Sequence, residues 1–155
     1  MYCFDTNVFI NSWRTAYPPD VFSSFWEKID SLIRKEMVIA PTQVLSELQR
    51  GGDDLFTWVK EREHIFVETD EHIEEVVSDI VNTYRDRFLP KTVHDGIWAD
   101  PYVIALAKAK NGIVVTQEAL VGPNQTKIKI PNVCVDLGIK YINTIELIRR
   151  EGWTF

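Results

Sequence analysis

The sequence is poor in the residues that mark several large classes of protein. Among its 155 residues are only two cysteines and three histidines, and its formal net charge is -6. Because Cys3 and Cys134 both lie in apolar runs, we expect buried free thiols and a cytoplasmic protein, not a disulfide scaffold. No apolar run approaches the roughly 18 residues that a membrane span needs, and we expect no signal peptide ahead of the first strand. The negative charge argues against a non-specific polyanion binder, although carboxylates that bind cations would contribute to the same total.

The rest of the composition is that of an ordinary globular protein. Hydrophobic residues make up 45% of the chain and charged residues 26%, so a chain of this length can build one core of its own. Neither repeats nor low-complexity linkers divide it. We therefore predict a single domain over residues 1–155.

Short apolar runs alternate with longer segments of helical periodicity. The runs that we predict to be strands are residues 2–4, 37–40, 65–67, 113–115 and 133–135. The predicted helices are residues 8–10, 20–36, 41–50, 53–58, 70–88, 100–110 and 143–150. We predict loops at residues 91–98 and 119–131. Strands that alternate with helices predict an α/β fold with a parallel, helix-covered sheet and right-handed crossovers.

Several polar residues precede these helices in positions that favour capping. We expect Asp20 to cap its helix, Asp70 to begin the longest helix, and Asp100 to be an N-cap with a proline in the first helical position. Asn143 and Glu146 have the spacing of a capping box. Helix ends are thus predicted from local side-chain chemistry.

Four acidic residues fall where a parallel sheet gathers the ends of its strands. Asp5 ends the first strand, Glu47 lies in the helix after the second, Asp100 begins a later helix, and Glu118 follows the strand that ends at Thr116. Carboxylates brought together would repel one another, and a hard divalent cation with oxygen ligands relieves that repulsion. The histidines show no metal-binding spacing, and no serine lies in a nucleophile motif. The set predicts a site for Mg²⁺ or Mn²⁺.

Each acid also has a purely structural interpretation when it is taken alone. Asp5 and Asp100 are good helix caps, Glu47 is suited to a solvated helix face, and Glu118 to a surface loop. Asp95 is more plausible as a loop residue than as a ligand. The order of the four acids along the chain is what favours a site.

The same four segments resemble the motifs of the PIN-domain ribonucleases, as found in VapC-type toxins. The segment Phe4–Asn7 resembles the first motif of that family, and Val44–Leu48 resembles its helical glutamate. The helix Asp100–Ala107 is similar to its alanine-rich helix that begins with aspartate, and Val114–Glu118 to its strand that ends in Thr-x-Asp. The resemblance covers nearly the whole chain.

The opening segment Tyr2–Phe9 and the segment Trp98–Pro101 further resemble a PIN-like subgroup, DUF4411. The resemblance implies a three-layer α/β/α fold with a central, mostly parallel sheet of four to five strands. It implies a Mg²⁺- or Mn²⁺-dependent endoribonuclease in which Asp5, Glu47 and Asp100 hold the metal. RNA would be the substrate, and single-stranded or looped RNA the preferred form.

The resemblance also implies roles for polar neighbours and for partners. Thr6, Asn7 and Thr116 would hydrogen-bond the acids or the phosphate. The protein would be the toxin of a type II toxin–antitoxin pair, with an antitoxin over the cleft, and would form a homodimer. The helices at residues 20–36 and 70–88 are candidate interfaces.

The sequence departs from the family pattern at its fourth acid and in the loop that follows. Glu118 stands where the family has aspartate, and its extra methylene favours orienting a water over binding metal directly. The loop from Glu118 to Pro131 is long, which favours a role in substrate choice or a tolerated surface insertion.

Several residues are candidates for contacts with nucleic acid. The basic ones are Arg85, Arg87, Lys91, Lys108, Lys110, Lys127 and Lys129, and the aromatic ones are Trp13, Tyr17 and Trp98. A solvated surface explains any single basic residue better than a contact with nucleic acid does.

Two alternatives to the nuclease remain open from the sequence. A phosphatase of the haloacid-dehalogenase type also has an aspartate at the end of its first strand, but Asn7 replaces the second aspartate that it needs. A catalytically inactive PIN-like module that binds RNA or protein is the other. Four retained carboxylates argue against the inactive module.

Overall fold

The computed structural model describes residues 1–88 and 98–155. Its centre is one sheet of five parallel strands in the order β3-β2-β1-β4-β5. The strands are β1 (Tyr2–Phe4), β2 (Val38–Pro41), β3 (Phe66–Val67), β4 (Ile113–Val115) and β5 (Tyr141–Ile142). The predicted parallel α/β fold is confirmed.

Helices cover both faces of this sheet. They are α1 (Thr6–Asn11), α2 (Ser23–Arg34), α3 (Thr42–Gln49), α4 (Asp54–Lys60), α5 (Glu71–Tyr84), α6 (Asp100–Ala109), α7 (Ile130–Leu137) and α8 (Thr144–Arg150). A π-helical turn, Ser12–Ala16, extends α1, and 3₁₀ turns occupy Glu63–Ile65 and Arg85–Arg87. Right-handed crossovers place α1 to α4 on one face and α5 to α7 on the other. Accordingly, α6 packs against α5 and α7.

The central strand β1 is buried from end to end. Tyr2, Cys3 and Phe4 are all at most 2% exposed, as expected for a parallel strand covered by helices on both faces. The apolar face of α6 packs on β1 and β2, and its residues Val103 to Ala107 are fully buried. This packing fixes the position of Asp5, the residue that follows β1.

Both cysteines are free and buried, as predicted. The thiol of Cys3 donates a hydrogen bond to the carbonyl oxygen of Val103 at 3.4 Å. Within the described part of the chain, no helix combines the length and the apolar character that crossing a bilayer requires.

The prediction of a strand at residues 133–135 is wrong, because these residues lie in α7. The fifth strand is Tyr141–Ile142 instead. Three apolar residues do not distinguish a strand from a helix, since both bury such a run. Pro131 in the first turn and Gly138 in the left-handed conformation after the last turn are the signals that mark this segment as a helix.

Three predicted helix ends also differ. The helix α2 begins at Ser23 after Phe22, so Asp20 is exposed and is not its cap. The helix α5 ends at Tyr84 and a 3₁₀ turn follows, where Arg85 has a positive φ of 42°. Ala99 precedes α6, so Asp100 is its first helical residue and not its N-cap.

Of the remaining predictions at the ends of helices and loops, one is confirmed, one is corrected and one is untested. Asn143 and Glu146 form the capping box of α8. The predicted loop at residues 119–131 is two residues too long, because α7 begins at Ile130. The predicted helix end at Pro90 and the residues Lys91, His94 and Asp95 lie outside the described residues.

We expect the cap of α5 to be worth measurable stability. The carboxylate of Asp70 accepts a hydrogen bond from the backbone N–H of Ile73 at 2.8 Å. Asp70→Ala should therefore lower the free energy of unfolding by about 1 kcal/mol in urea titrations. The matched control is Asp20→Ala, which should change it by less than about 0.5 kcal/mol. Equal effects of the two substitutions would contradict this assignment of the cap.

Candidate functional site

The site begins with Asp5, the residue directly after β1. Its backbone N–H donates to the carbonyl oxygen of Val115 at 3.0 Å, and its side chain is buried, with the residue 2% exposed. Because Phe4 and Val115 are paired across the sheet, Asp5 lies beside Thr116. The Thr116 hydroxyl donates to Asp5 Oδ2 at 2.8 Å. The pairing of β1 with β4 thus holds this carboxylate at the carboxyl edge of the sheet.

Glu47 reaches the same edge from α3. Its Oε2 accepts a hydrogen bond from the Thr6 hydroxyl at 2.5 Å, and its Oε1 accepts one from the backbone N–H of Ala99 at 3.0 Å. The interpretation of Glu47 as a solvated surface residue is therefore wrong. Its carboxylate connects the start of α1 to the residue just before Asp100.

Asp100 and Asp5 are coupled electrostatically. The pKa of Asp100 is raised to about 7, chiefly by burial and then by the negative charges of Glu118 and Glu47, although a hydrogen bond from the Trp98 side chain lowers it. Burial likewise raises the pKa of Asp5 well above its usual range, and the charge of Asp100 adds to this shift. The fold thus brings Asp5, Glu47 and Glu118 within electrostatic reach of Asp100.

Glu118 points towards α7. Its Oε2 accepts a hydrogen bond from the backbone N–H of Ile130 at 2.8 Å, and its Oε1 lies 3.9 Å from Lys129 Nζ. Its own backbone N–H donates to the hydroxyl of Thr116 at 3.1 Å. The carboxylate therefore anchors the start of α7 while its charge still reaches Asp5 and Asp100.

Asn7 fixes the end of β4 relative to α1. Its Nδ2 donates to the hydroxyl of Thr116 at 3.3 Å, and its Oδ1 accepts from the backbone N–H of Gln117 at 2.9 Å. Thr6 and Thr116 thus hydrogen-bond acids directly, whereas Asn7 acts on Thr116. These contacts restrict the carboxylates to one arrangement.

A cleft of about 350 Å³ lies in front of these acids. Asp5, Glu47 and Asp100 line it, and the other lining residues come from α1 and the π-helical turn: Thr6, Asn7, Ile10, Asn11, Arg14 and Thr15. Sequence analysis missed Asn11, Arg14 and Thr15. The spacing of four and three residues from Asn7 to Asn11 and Arg14 would have indicated one helical face.

The acids are close but are not arranged as a finished metal site. Over residues 1–88 and 98–155, no group of three or more His, Cys, Asp or Glu side chains is positioned to hold a metal ion. Both oxygens of Glu47 already accept hydrogen bonds, from Thr6 and from Ala99. Joint ligation by Asp5, Glu47 and Asp100 would require the Glu47 carboxylate to change partners.

The predicted basic contacts are divided between the acids and other parts of the structure. Lys108 lines a separate pocket with Met1 at the opposite edge of the sheet, where strands begin, so it is not on a track to the acids. Lys127 donates to the backbone carbonyl of Asp86, whereas Lys129 lies beside Glu118 and its charge lowers the pKa of Asp100. Cations at that opposite edge complement the carboxyl ends of the helices.

The aromatic candidates are largely engaged with other rings. Trp13 lies 4.8 Å from Trp26, and Tyr17 stacks on Phe25 with ring centroids 4.3 Å apart. Base stacking on Trp13 or Tyr17 is therefore not favoured. Trp98 contacts Phe88 at 5.0 Å and hydrogen-bonds Asp100, which makes it part of the acid cluster.

The sequence matches one described family over almost its whole length. The match, to a domain of unknown function called DUF4411, covers residues 2–155. The chain belongs to the DUF4411 family. No protein in the curated set matches it significantly.

Several solved structures share the fold of this DUF4411 protein. VapBC2 from Rickettsia felis, bound to a DNA fragment from its promoter, superposes with a TM-score of 0.54 at 14% identity, over 92% of this chain and 97% of that chain. FitAcB from Neisseria gonorrhoeae gives 0.54 at 19% identity with the same coverage. VapBC-1 from nontypeable Haemophilus influenzae gives 0.50 at 12% identity, over 92% and 96% of the two chains. The DUF4411 protein therefore has a VapC-like PIN fold.

The raised pKa values predict how stability depends on pH without metal. An unfolded aspartate loses its proton near pH 4 and Asp100 in the folded protein near pH 7, so the folded state binds more protons between these values. Stability must then fall as pH rises from about 4 to about 7. In EDTA, Asp100→Asn should remove much of this fall and raise the free energy of unfolding at pH 8 by roughly 2–4 kcal/mol.

The matched control for this measurement is Asp79→Asn, an exposed aspartate on α5. It should change the free energy of unfolding by less than about 0.5 kcal/mol at either pH. Urea titrations at pH 5 and pH 8 measure both variants. A destabilised Asp100→Asn protein at pH 8 would rule out the electrostatic strain inferred for Asp100.

Proposed function

We propose that this DUF4411 protein is a metal-dependent endoribonuclease and the toxin of a type II toxin–antitoxin pair. The observation that carries the proposal is the convergence of buried, mutually repelling carboxylates in one cleft at the carboxyl edge of a VapC-like fold. Buried carboxylates with raised pKa values are costly to keep ionised. A bound divalent cation would offset the free-energy cost of keeping these carboxylates ionised.

The donor chemistry of the cleft fits Mg²⁺ or Mn²⁺. Asp5, Glu47 and Asp100 offer only oxygen atoms, the ligands that hard divalent cations prefer. A bound ion would supply the Lewis acidity that phosphodiester hydrolysis needs. The Glu47 carboxylate would exchange its hydrogen bond from Thr6 for the ion, while the bond from Ala99 keeps it in place.

The surrounding residues would hold the acids in position for this chemistry. Thr116 donates to Asp5 and is itself fixed by Asn7, so the carboxylate is oriented before any ligand arrives. Glu118 is anchored on α7 and would act through its charge or by orienting a water. No side chain in this arrangement has to serve as a covalent nucleophile.

RNA, an antitoxin and a second copy of the chain are the partners that we propose. Single-stranded or looped RNA suits an open cleft, because its bases can be splayed away from the phosphate to be cut. The structural neighbours include VapBC2 and VapBC-1, and the resemblance to VapC-type toxins implies an antitoxin that would cover the cleft. The buried free thiols suit action in the cytoplasm.

A catalytically inactive PIN-like module is the second candidate. The absence of a finished three-ligand group among the described residues favours it. Calorimetric titration with Mn²⁺ separates the two candidates. Binding that Asp5→Asn abolishes supports the nuclease, whereas no binding, or binding that this substitution leaves unchanged, supports the inactive module.

We expect the purified protein to cut single-stranded RNA with Mg²⁺ or Mn²⁺ and not with EDTA. Asp5→Asn should lower the rate at least about a hundredfold, because it removes a charged ligand from the centre of the site. The matched control is Asp20→Asn, an exposed aspartate, which should cut at the parent rate. Gel analysis of labelled RNA measures the cleavage rate of the parent and of both variants. Cleavage that persists in EDTA or in the Asp5→Asn variant would reject the proposal, and a phosphorylated Asp5 would indicate a phosphatase instead.

The variant Glu118→Gln tests whether Glu118 binds the metal directly or only anchors α7. Glutamine keeps an acceptor for the N–H of Ile130 but removes the charge, so we expect cleavage to fall less than about tenfold. Because the Glu118 charge raises the pKa of Asp100, the acidic limb of the pH–rate profile should shift to lower pH. A loss as large as that of Asp5→Asn, with no shift of this limb, would instead identify Glu118 as a direct ligand.

A further inference from the structure

The acidic cleft poses a problem for any nucleic acid that enters it. Three of its lining residues, Asp5, Glu47 and Asp100, are acids that repel a phosphate backbone. Among the described residues that line the cleft, Arg14 is the one with a positive charge. An arginine side chain carries five N–H donors in a fork that matches the two oxygens of a phosphate.

Arg14 is held at the cleft by two features of the α3–α4 connection. Its Nη2 forms an ion pair with Asp53 Oδ2 at 2.6 Å. A Cβ atom at position 51 would lie 3.2 Å from the same Nη2, so Gly51 leaves room for the guanidinium. Asp53 is also the N-cap of α4 and accepts from the backbone N–H of Phe56 at 3.3 Å. The guanidinium is therefore positioned by an element that is itself fixed.

The backbone also places Arg14 with the site. It lies in the π-helical turn that extends α1, and such turns frequently occur at functional sites. Asn7 and Asn11, seven and three residues earlier on the same helical face, line the cleft as well. The helix α1 and the π-helical turn that extends it thus place the positive charge of Arg14 next to the acids.

Stability alone does not account for this ion pair. Half of the Arg14 side chain and 35% of that of Asp53 are exposed, and exposed pairs of this kind contribute little to folding. The hydrogen bond to Asp53 accounts for one of the five N–H donors of Arg14. The contacts that Arg14 makes within residues 1–88 and 98–155 leave its other donors to a ligand.

We propose that Arg14 binds a backbone phosphate of the RNA next to the one that is cut, with Asp53 as its positioning residue. This inference rests on the proposed function, since it names how the substrate of that site is held. Arg14 would offset the repulsion between the acids and the RNA and fix the register of the strand. It would do so without touching the metal.

The test measures RNA binding without metal, so that it does not depend on cleavage. A short fluorescent single-stranded RNA is titrated with the full chain in EDTA at several salt concentrations, and anisotropy reports the dissociation constant. Arg14→Ala should weaken binding about tenfold and lower the slope of log K against log salt by about 0.7, the value for one phosphate contact on a single strand. Arg14→Lys, which keeps the charge and loses the fork, should be intermediate.

Two control variants distinguish this role from loss of charge and from loss of the ion pair. Arg34→Ala removes one exposed positive charge at the far end of α2 and should bind within about twofold of the parent. Asp53→Asn keeps a good N-cap but loses the ion pair that positions Arg14, so it should weaken RNA binding less than Arg14→Ala does and leave the salt slope at the parent value, because Arg14 keeps its charge. A purely structural ion pair would instead make Asp53→Asn and Arg14→Ala equally weak.

The outcomes for Arg14 and for the nuclease are separable. If Arg14→Ala binds RNA with the same affinity and salt slope as Arg34→Ala, the proposed role of Arg14 is overturned. This holds whether or not the protein cleaves RNA. Absence of RNA binding by the parent overturns it too. RNA binding that depends on Arg14 without any cleavage in Mg²⁺ or Mn²⁺ supports Arg14 and overturns the nuclease alone. Thermal unfolding of each variant verifies that it is folded.

Discussion

Burial of the Asp5 carboxylate at the end of the central strand is the constraint on which the site depends. An ionised carboxylate in a protein interior is unfavourable unless hydrogen bonds or opposite charge compensate it. Thr116 supplies one hydrogen bond, but the neighbouring Asp100 adds repulsion, so the pKa of Asp5 stays raised. The sheet cannot avoid this cost, because β1 lies between β2 and β4 and is covered on both faces.

The elements around Asp5 are arranged to hold that unfavourable charge in place. Glu47 bridges the start of α1 and the residue before α6, and Glu118 connects the end of β4 to the start of α7. Asp5, Glu47 and Glu118 are thus each hydrogen-bonded to a different part of the fold. These bonds orient Asp5 and Glu118 before any ligand binds, as electrostatic preorganisation requires, whereas Glu47 would have to change one partner to bind a metal.

The cleft combines this negative cluster with a single guanidinium at its wall. The acids suit a cation and Arg14 suits an anion, so the two halves of the cleft match the two charged components of a metal-bound phosphodiester. The basic residues at the opposite edge, such as Lys108, have a simpler explanation, since they lie where the carboxyl ends of helices meet.

The sequence by itself determined the parallel α/β fold and the four acids, because both depend on local patterns. Apolar runs that alternate with helical periods specify the strands and helices, and an acid directly after a buried strand falls at the carboxyl edge of the sheet. Where the local pattern was ambiguous, as at Val133–Val135, the assignment failed, since three apolar residues are buried equally well in a strand or a helix. Tertiary contacts alone show that Glu47 is bound through both oxygens, that Glu118 anchors α7, and that Lys108 lies away from the cleft. These facts depend on contacts between residues far apart in the chain, and no local pattern encodes which side chains such contacts bring together.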